Sequence, residues 1–368
     1  MVLVKAKRDE LLGPLSAVSG IIERRHTLPI LSNVLIECGV GALSFVATDI
    51  EIQITSHATL ESSGEVRSVT VGARKLVDIL RALPDSAEIT LQQQDKRLLV
   101  RAGKSRFVLQ TLPAEDFPRL AKPAGDVARF SLQQKDLRRL LGLVQYSMAQ
   151  QDIRYYLNGL LMVVEDKALK LIATDGHRLA FASMALEAKL PRQEVIVPRK
   201  TVLELAKLLS DSDAEVRIEL SSAQASFAFG AVELVSKLID GKFPDYTRVI
   251  PVGHKNQLTI GRDVLRQALM RAAILSNEKF RGVRWVLTDG SLKIVSSNTE
   301  QEEAEETLEV AYTGDALDIG FNVNYLLDVL NNVAGSEVEC KFGDAASSAL
   351  LSFPSEADFK YVVMPMRI

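Results

Sequence analysis

Hydrophobic and polar positions along the chain follow two periods. Strict alternation marks strands in DIEIQITS (49–56) and VRIEL (216–220), and SFAFGAVELVSK (226–237) pairs two such runs across a glycine turn. A period near 3.6 marks short amphipathic helices in ARKLVDILRAL (from Ala73), PRKTVLELAKLL (from Pro198) and NVNYLLDVLNNV (from Asn322). Longer leading helices are predicted in RDELLGPLSAVSGII, QQKDLRRLLGLVQYSM and GRDVLRQALMRAAILS.

These elements recur in order. LSNVLIECGVGALSFVATDIEIQI starts at Leu31, LNGLLMVVEDKALKLIATDGHRLA at Leu157 and FRGVRWVLTDGSLKIVSSNTEQEE at Phe280. Asn33 to Asp49, Gly159 to Asp175 and Gly282 to Asn298 each span 16 positions. An acid recurs in the second helix of each copy, as Asp78, Glu204 and Asp328, and Phe117-Pro118 returns as Phe243-Pro244. The chain therefore reads as three copies of one unit, with domains at 1–126, 127–254 and 255–368. Each copy reads helix, strands, helix, strands. That order predicts an α+β fold with helices on one face of antiparallel sheets, since a doubly wound sheet would need a helix after nearly every strand.

Composition narrows the class. The 368 residues are 47% hydrophobic and 25% charged, as expected of a soluble globular chain with several cores. No apolar run reaches the roughly 18 to 20 residues of a membrane span, and the amphipathic start does not resemble a signal peptide, so a cytoplasmic location is expected. Cys38 and Cys340 are predicted to be core residues, and the four histidines have no metal-ligand spacing, so neither a metal nor a cofactor is expected.

The formal net charge is -3, yet four helices are each net basic by two: 72–83, 131–149, 199–209 and 260–276. Acid collects instead at 299–309. Basic helices on an acidic protein can form a surface that follows phosphates, or can be ordinary solvated faces.

ATDGHRLA (173–180) invites a catalytic reading, because Asp175 and His177 could form an acid/base pair in an enzyme of nucleic-acid metabolism. No nucleophile motif, phosphate loop or ligand cluster accompanies them. Thr174 and Asp175 are matched by Thr48-Asp49 and Ser297-Asn298, which points to a turn built three times. His177 and Arg178 have no counterpart in the other copies, so the middle copy alone carries a specialised turn, with binding as the third reading. Head-to-tail repeats also leave one open end on each terminal copy: KSRFVLQTL, with Lys104 and Arg106, at one, and Ile274, Leu275 and the glutamates of 302–306 at the other. Their charges are complementary, so two chains could close on each other.

Taken together, RYYLNG (154–159), ATDGHRLA, VIVPRK (195–200), DGKFPDY (240–246), RAAILSNEKFRGVR (271–284), EQEEAEE (300–306), GFNVNYLLDVL (320–330) and the terminal YVVMPMRI (361–368) resemble the bacterial sliding clamps, the β subunits of DNA polymerase III. The match runs through the whole chain in order. The resemblance implies a non-catalytic homodimeric ring around duplex DNA that confers processivity without reading sequence. It assigns DNA contact to Arg25, Arg74, Gln151, Tyr155, Tyr156, Arg199 and Lys200. It assigns a cleft for short linear motifs of polymerases, clamp loader and repair proteins to Leu157, Thr174, Gly176, His177, Arg178, Leu179, Pro244, Arg248, Val249, Asn322, Tyr325, Ser348, Val362, Met364, Pro365, Met366 and Arg367. In that cleft His177 and Arg178 are expected as rim donors. Dimer contacts fall on Lys104, Arg106, Phe107, Leu109, Ile274, Leu275, Glu302, Glu303 and Glu306. Two departures stand out: the family's chains end in Leu where this one ends in Ile368, and IIERRH (21–26) differs from the family pattern.

Overall fold

A computed structural model describes residues 2–23, 28–59 and 66–368. The first repeat contains β1 (Val2–Lys7), α1 (Arg8–Ser19), β2 (Asn33–Gly39), β3 (Ala42–Thr48), β4 (Ile52–Thr59), β5 (Arg67–Gly72), α2 (Ala73–Ala82), β6 (Glu88–Gln94), β7 (Arg97–Ala102) and β8 (Ser105–Leu112). The second contains β9 (Ala128–Gln133), α3 (Gln134–Val144), β10 (Gly159–Thr174), β11 (Arg178–Pro198), α4 (Arg199–Leu208), β12 (Glu215–Leu220), β13 (Gln224–Phe229) and β14 (Val232–Lys237). The third contains β15 (Asn256–Gly261), α5 (Arg262–Ala272), β16 (Gly282–Thr288), β17 (Ser291–Ser297), β18 (Glu303–Glu309), β19 (Leu317–Asn322), α6 (Val323–Asn332), β20 (Glu337–Phe342), β21 (Ala349–Phe353) and β22 (Glu356–Val363). β10 and β11 each cover the positions that the first repeat divides between two strands.

The helix, strand, helix, strand order needs one amendment. A six-residue strand precedes each leading helix, and β1, β9 and β15 pair with β6, β12 and β20, the first strands after the second helices. The leading helices are shorter than their apolar patterns. In α1, Leu11, Leu15 and Val18 are fully buried at helical spacing, each contributing about 1.5–3 kcal/mol through removal from water. Lys7 N–H donates to Glu10 Oε2 at 2.7 Å and closes the first turn.

The chain divides into two compact units, one of Met1–Arg138 with Leu203–Leu238, the other of Arg139–Val202 with Ile239–Ile368. In the first unit a 12-stranded sheet runs β1-β6-β7-β8-β5-β2-β3-β4-β14-β13-β12-β9. The second holds a six-stranded sheet, β10-β11-β22-β21-β20-β15, and a four-stranded one, β18-β17-β16-β19. These units cut across the sequence repeats because strands of adjacent repeats pair. β4 joins β14, with Ile52 opposite Ser236, and β11 joins β22, with Arg178 opposite Val363. Both cysteines are free and buried. Among the described residues, no helix is long and apolar enough to cross a membrane.

Candidate peptide cleft, DNA contacts and open sheet edges

The turn predicted three times is built three times with one hydrogen-bond scheme. Asp49 Oδ1 accepts from the backbone N–H of Glu51 and Ile52 at 2.9 and 2.8 Å; Asp175 Oδ1 accepts from His177 and Arg178 at 2.9 and 3.1 Å; Asn298 Oδ1 accepts from Glu300 and Glu302 at 2.9 and 3.0 Å. A short acceptor side chain caps its own backbone, which is why Asp or Asn stands there. The third copy carries one extra residue. Thr48 and Thr174 add a second tie, their hydroxyls donating to Ile52 O at 2.9 Å and Arg178 O at 2.6 Å.

This scheme occupies the would-be catalytic acid. Both Asp175 oxygens are engaged, Oδ2 accepting from Arg178 Nε at 3.1 Å, and what Asp175 holds of His177 is its backbone N–H. The exposed His177 ring instead lies near-parallel to Tyr325, centroids 6.5 Å apart. Gly176 has φ +89°, a conformation that strains a residue with a Cβ, and a Cβ there would come within 2.7 Å of Arg154 Nη1, so the guanidinium would have to swing aside.

Around the turn the second unit gathers an apolar floor. Leu157, Leu161, Ile172, Leu179, Phe243 and Val362 pack into one buried cluster, with Tyr156, Phe181, Tyr246, Ile250 and Leu350 half-buried against it. Leu157, Leu179 and Val362 are core members of this cluster, each at most 2% exposed. Pro244, Arg248 and Val249 are exposed beside it, Arg248 paired with Asp245 at 3.0 Å. The tail residues follow β22: Met364 N–H donates to His177 O at 2.9 Å and Met366 N–H to Gly320 O at 2.8 Å. Met364 is 46% exposed, Pro365 and Met366 are half-buried and Arg367 is exposed. Asn322 caps α6 by accepting from Asn324 N–H at 2.9 Å, and Ser348 O lies 2.8 Å from His254 Nε2.

One expectation is corrected here. Arg178 is not a rim donor: its side chain is 9% exposed and grips Asp175, Asp328 Oδ2 at 2.5 Å and Tyr146 O at 2.6 Å, because a buried guanidinium must satisfy its donors. Tyr156, assigned to DNA, is half-buried against the cleft cluster, whereas Tyr155 is 57% exposed. Phe181, Tyr246 and Ile250 were missed; DGKFPDY contains Tyr246, and nothing local distinguishes the other two from strand or linker residues.

The remaining DNA assignments divide. Gln151 (φ +55°) and Tyr155 are exposed on the loop before β10, and Arg74 is exposed on α2. Arg199 is half-buried, donates to Met148 O at 3.2 Å and is pushed below its usual pKa by burial and then by the Arg178 charge. Lys200 is half-buried, and Arg25 lies outside the described residues. Two basic helices are partly neutralised by partners their own patterns do not reveal, Lys135 pairing with Asp213 and Arg139 with Glu356 at 2.5 Å, while Arg266 pairs at 3.5 Å with Asp263 of its own helix.

The residues expected at the dimer contacts lie on or beside strands with an open edge. β8 pairs with β7 along its length but with β5 only through Thr111 and Leu112, leaving one edge of 105–110 unpaired within the first unit. Arg106 is exposed there, Phe107 and Leu109 half-buried, and Lys104 is exposed in the preceding turn. β18 ends the four-stranded sheet and alternates exposed and half-buried positions, Glu303 exposed among them. Ile274 is 76% exposed and Leu275 half-buried. Glu306, expected to face Lys104 or Arg106, has a partner within its own chain. It accepts from Arg271 Nε and Nη2 at 2.7 and 2.6 Å, which holds its carboxyl below the usual range, and Glu302 accepts from Asn298 at 2.6 Å.

The three repeats thus share one α+β module and one backbone-capping turn. Models of the DNA polymerase III beta subunit match its N-terminal domain at 3–121, its central domain at 131–245 and its C-terminal domain at 247–367. The beta sliding clamp of Pseudomonas aeruginosa is 48% identical over 365 residues, covering 98% of this chain and 99% of that one. That of Escherichia coli K12 is 47% identical over 362 residues, with coverage of 98% and 99%. Among solved structures, the P. aeruginosa DNA polymerase III subunit beta superposes with a TM-score of 0.96 at 47% identity, and Caulobacter crescentus pol III beta with 0.94 at 39%, both covering 100% of each chain. The chain belongs to the DNA polymerase III beta subunit family, the sliding clamps, whose members are processivity factors without catalysis.

Proposed function

We propose that this chain works in the cytoplasm as a homodimer enclosing duplex DNA, tethering a replicative polymerase and receiving partner peptides in the cleft beside 174–178. Enclosure needs no base contacts, so exposed cations such as Arg74, with Arg25, Arg199 and Lys200, need only tolerate phosphates while Gln151 and Tyr155 touch DNA. Tyr156 then serves the cleft. Domain limits at 126/127 and 254/255 fall before β9 and β15, the strands that open the second and third repeats.

One observation carries the reading. The strand after the first turn, β4, pairs with the last strand of the second repeat, and the strand after the second turn, β11, pairs with the last strand of the third. The strand after the third turn, β18, lacks such a partner in its sheet, and β8, the last strand of the first repeat, keeps an open edge. A second copy supplies both. Counted from the turns, Ile52 faces Ser236, the fifth residue of β14. On this register, that of the first junction, the counterpart Glu302 faces Leu109 of the second copy and Glu305 faces Arg106; the second junction sets Arg178 opposite Val363, three residues further along its strand. Ile274 holds the place of Tyr146, which packs on Tyr361 of β22 at 6.0 Å. The same packing sets Ile274 and Leu275 against Phe107, with Glu303 and Lys104 at the rim. Glu306 remains bound to Arg271.

Topology tests the reading. Placed on nicked circular DNA by its clamp loader, the protein stays bound through gel filtration, and one cut in the circle releases it. Retention on the cut DNA overturns enclosure.

A further inference from the structure

The acid that recurs in the second helix of each repeat meets the site in the third, where Asp328 holds Arg178. We infer that Asp328 is a positioning residue for the peptide cleft: through Arg178 it fixes the height of the Tyr325 wall. The inference rests on the cleft reading above.

Arg178 spends each guanidinium nitrogen on a different part of the second unit. Nε goes to Asp175 in its own turn at 3.1 Å, Nη2 to Tyr146 O at 2.6 Å and Nη1 to Asp328 on α6 at 2.5 Å. Its central carbon lies 4.5 Å from the centroid of the Tyr325 ring and 5.7 Å from that of Tyr146. Tyr325 and Asp328 are three residues apart on α6 and so share a face. Tyr361 of β22 donates its hydroxyl to Tyr325 O at 2.8 Å, so the strand that leads into the tail is tied to the same helical turn.

Burial and positioning separate by residue. The 9%-exposed Arg178 already has a neutralising partner in Asp175, whose side chain is 17% exposed, and a carbonyl in Tyr146. Asp328 is 41% exposed and is not needed to keep the cation paired. What it adds to the ring contacts of Tyr325 with Arg178 and His177 is a charged tie from the turn to the helix bearing Tyr325. Removing its charge leaves the core intact and lets Tyr325 move relative to His177, to which its ring lies near-parallel.

The test uses the full-length protein and a peptide selected from a hexapeptide library on the wild type and rejected by the form lacking 364–368. Asp328→Asn weakens binding of this peptide about tenfold with little change in thermal unfolding, and Asp328→Glu recovers most of the loss. Tyr325→Ala weakens it too, and the double variant Asp328→Asn/Tyr325→Ala binds no more weakly than Tyr325→Ala alone, since one effect runs through the other. Arg178→Lys, which keeps the buried charge without the fork, reproduces the loss and serves if Asp328→Asn does not fold. Affinity within twofold of wild type for Asp328→Asn, or losses that multiply in the double variant, overturns the inference. A library that yields no tail-dependent peptide overturns the cleft itself.

Discussion

Gly320 offers a way to lift the C-terminal tail off the protein without unfolding it. It lies in β19, an edge strand of the four-stranded sheet, where it pairs with Arg284, and the tail runs beside it. A Cβ at Gly320 would sit 2.5 Å from Met366 O and 2.7 Å from two carbons of Ile368. The Ile368 side chain can swing away, but the Met366 carbonyl is backbone, so Gly320→Ala must displace the chain and break the 2.8 Å bond from Met366 N–H to Gly320 O. That bond is worth about 0.5–1.5 kcal/mol net. Ile368 is 65% exposed, so its contact is worth only about a third of the roughly 1.5–3 kcal/mol of a fully buried Ile. Against these losses, alanine in a strand gains about 0.5–1 kcal/mol over glycine. The balance is a loss of about 1 kcal/mol, about 1 °C in Tm for a chain of this size. Tail docking, whose whole strength is of that order, is lost. Hydrogen exchange followed by mass spectrometry should show the Met366 amide unprotected while β16 and β17 stay protected, and the tail-dependent peptide should no longer bind. Gly282→Ala is the control: its Cβ would meet Ile368 at 3.3 Å, a contact the side chain can relieve. Wild-type protection of Met366 in Gly320→Ala refutes the close-approach argument.

Two further outcomes are expected. Reversing Lys104 and Arg106 to Glu shifts dimer toward monomer in sedimentation, and adding Glu305→Arg restores part of the association; an intact dimer at nanomolar concentration for the first variant, or no recovery for the second, removes the proposed pairing. Burial pushes the Cys38 thiol up to about 11 and the Cys340 thiol up to about 12, so the protonated, unreactive form dominates up to those values. Native protein at pH 8 should therefore leave both thiols unmodified by a disulfide reagent, and denatured protein should react at two; native labelling of either shows that the site opens.

What the sequence determined by itself was local or periodic. Amphipathic spacing located the six α-helices of the described residues, alternation located β4, β12, β13 and β14, and the 16-residue spacing exposed the triplication. Asp49, Asp175 and Asn298 could be recognised as turn caps because an Asx side chain bonds backbone two to four residues away. The edge character of KSRFVLQTL was legible for the same reason, as alternation with a basic polar face. Tertiary structure decided which partner each charged or aromatic side chain takes. Arg178 and Asp328 are 150 positions apart, Arg139 and Glu356 are 217, and Arg271 and Glu306 meet only because β18 folds back beside α5. No periodicity encodes such choices: a cation on a helix face reads the same whether it will meet phosphate, solvent or a carboxylate brought from a distant strand. Which of them it meets depends on strand pairing between repeats, and that pairing forms only when the whole sheet does.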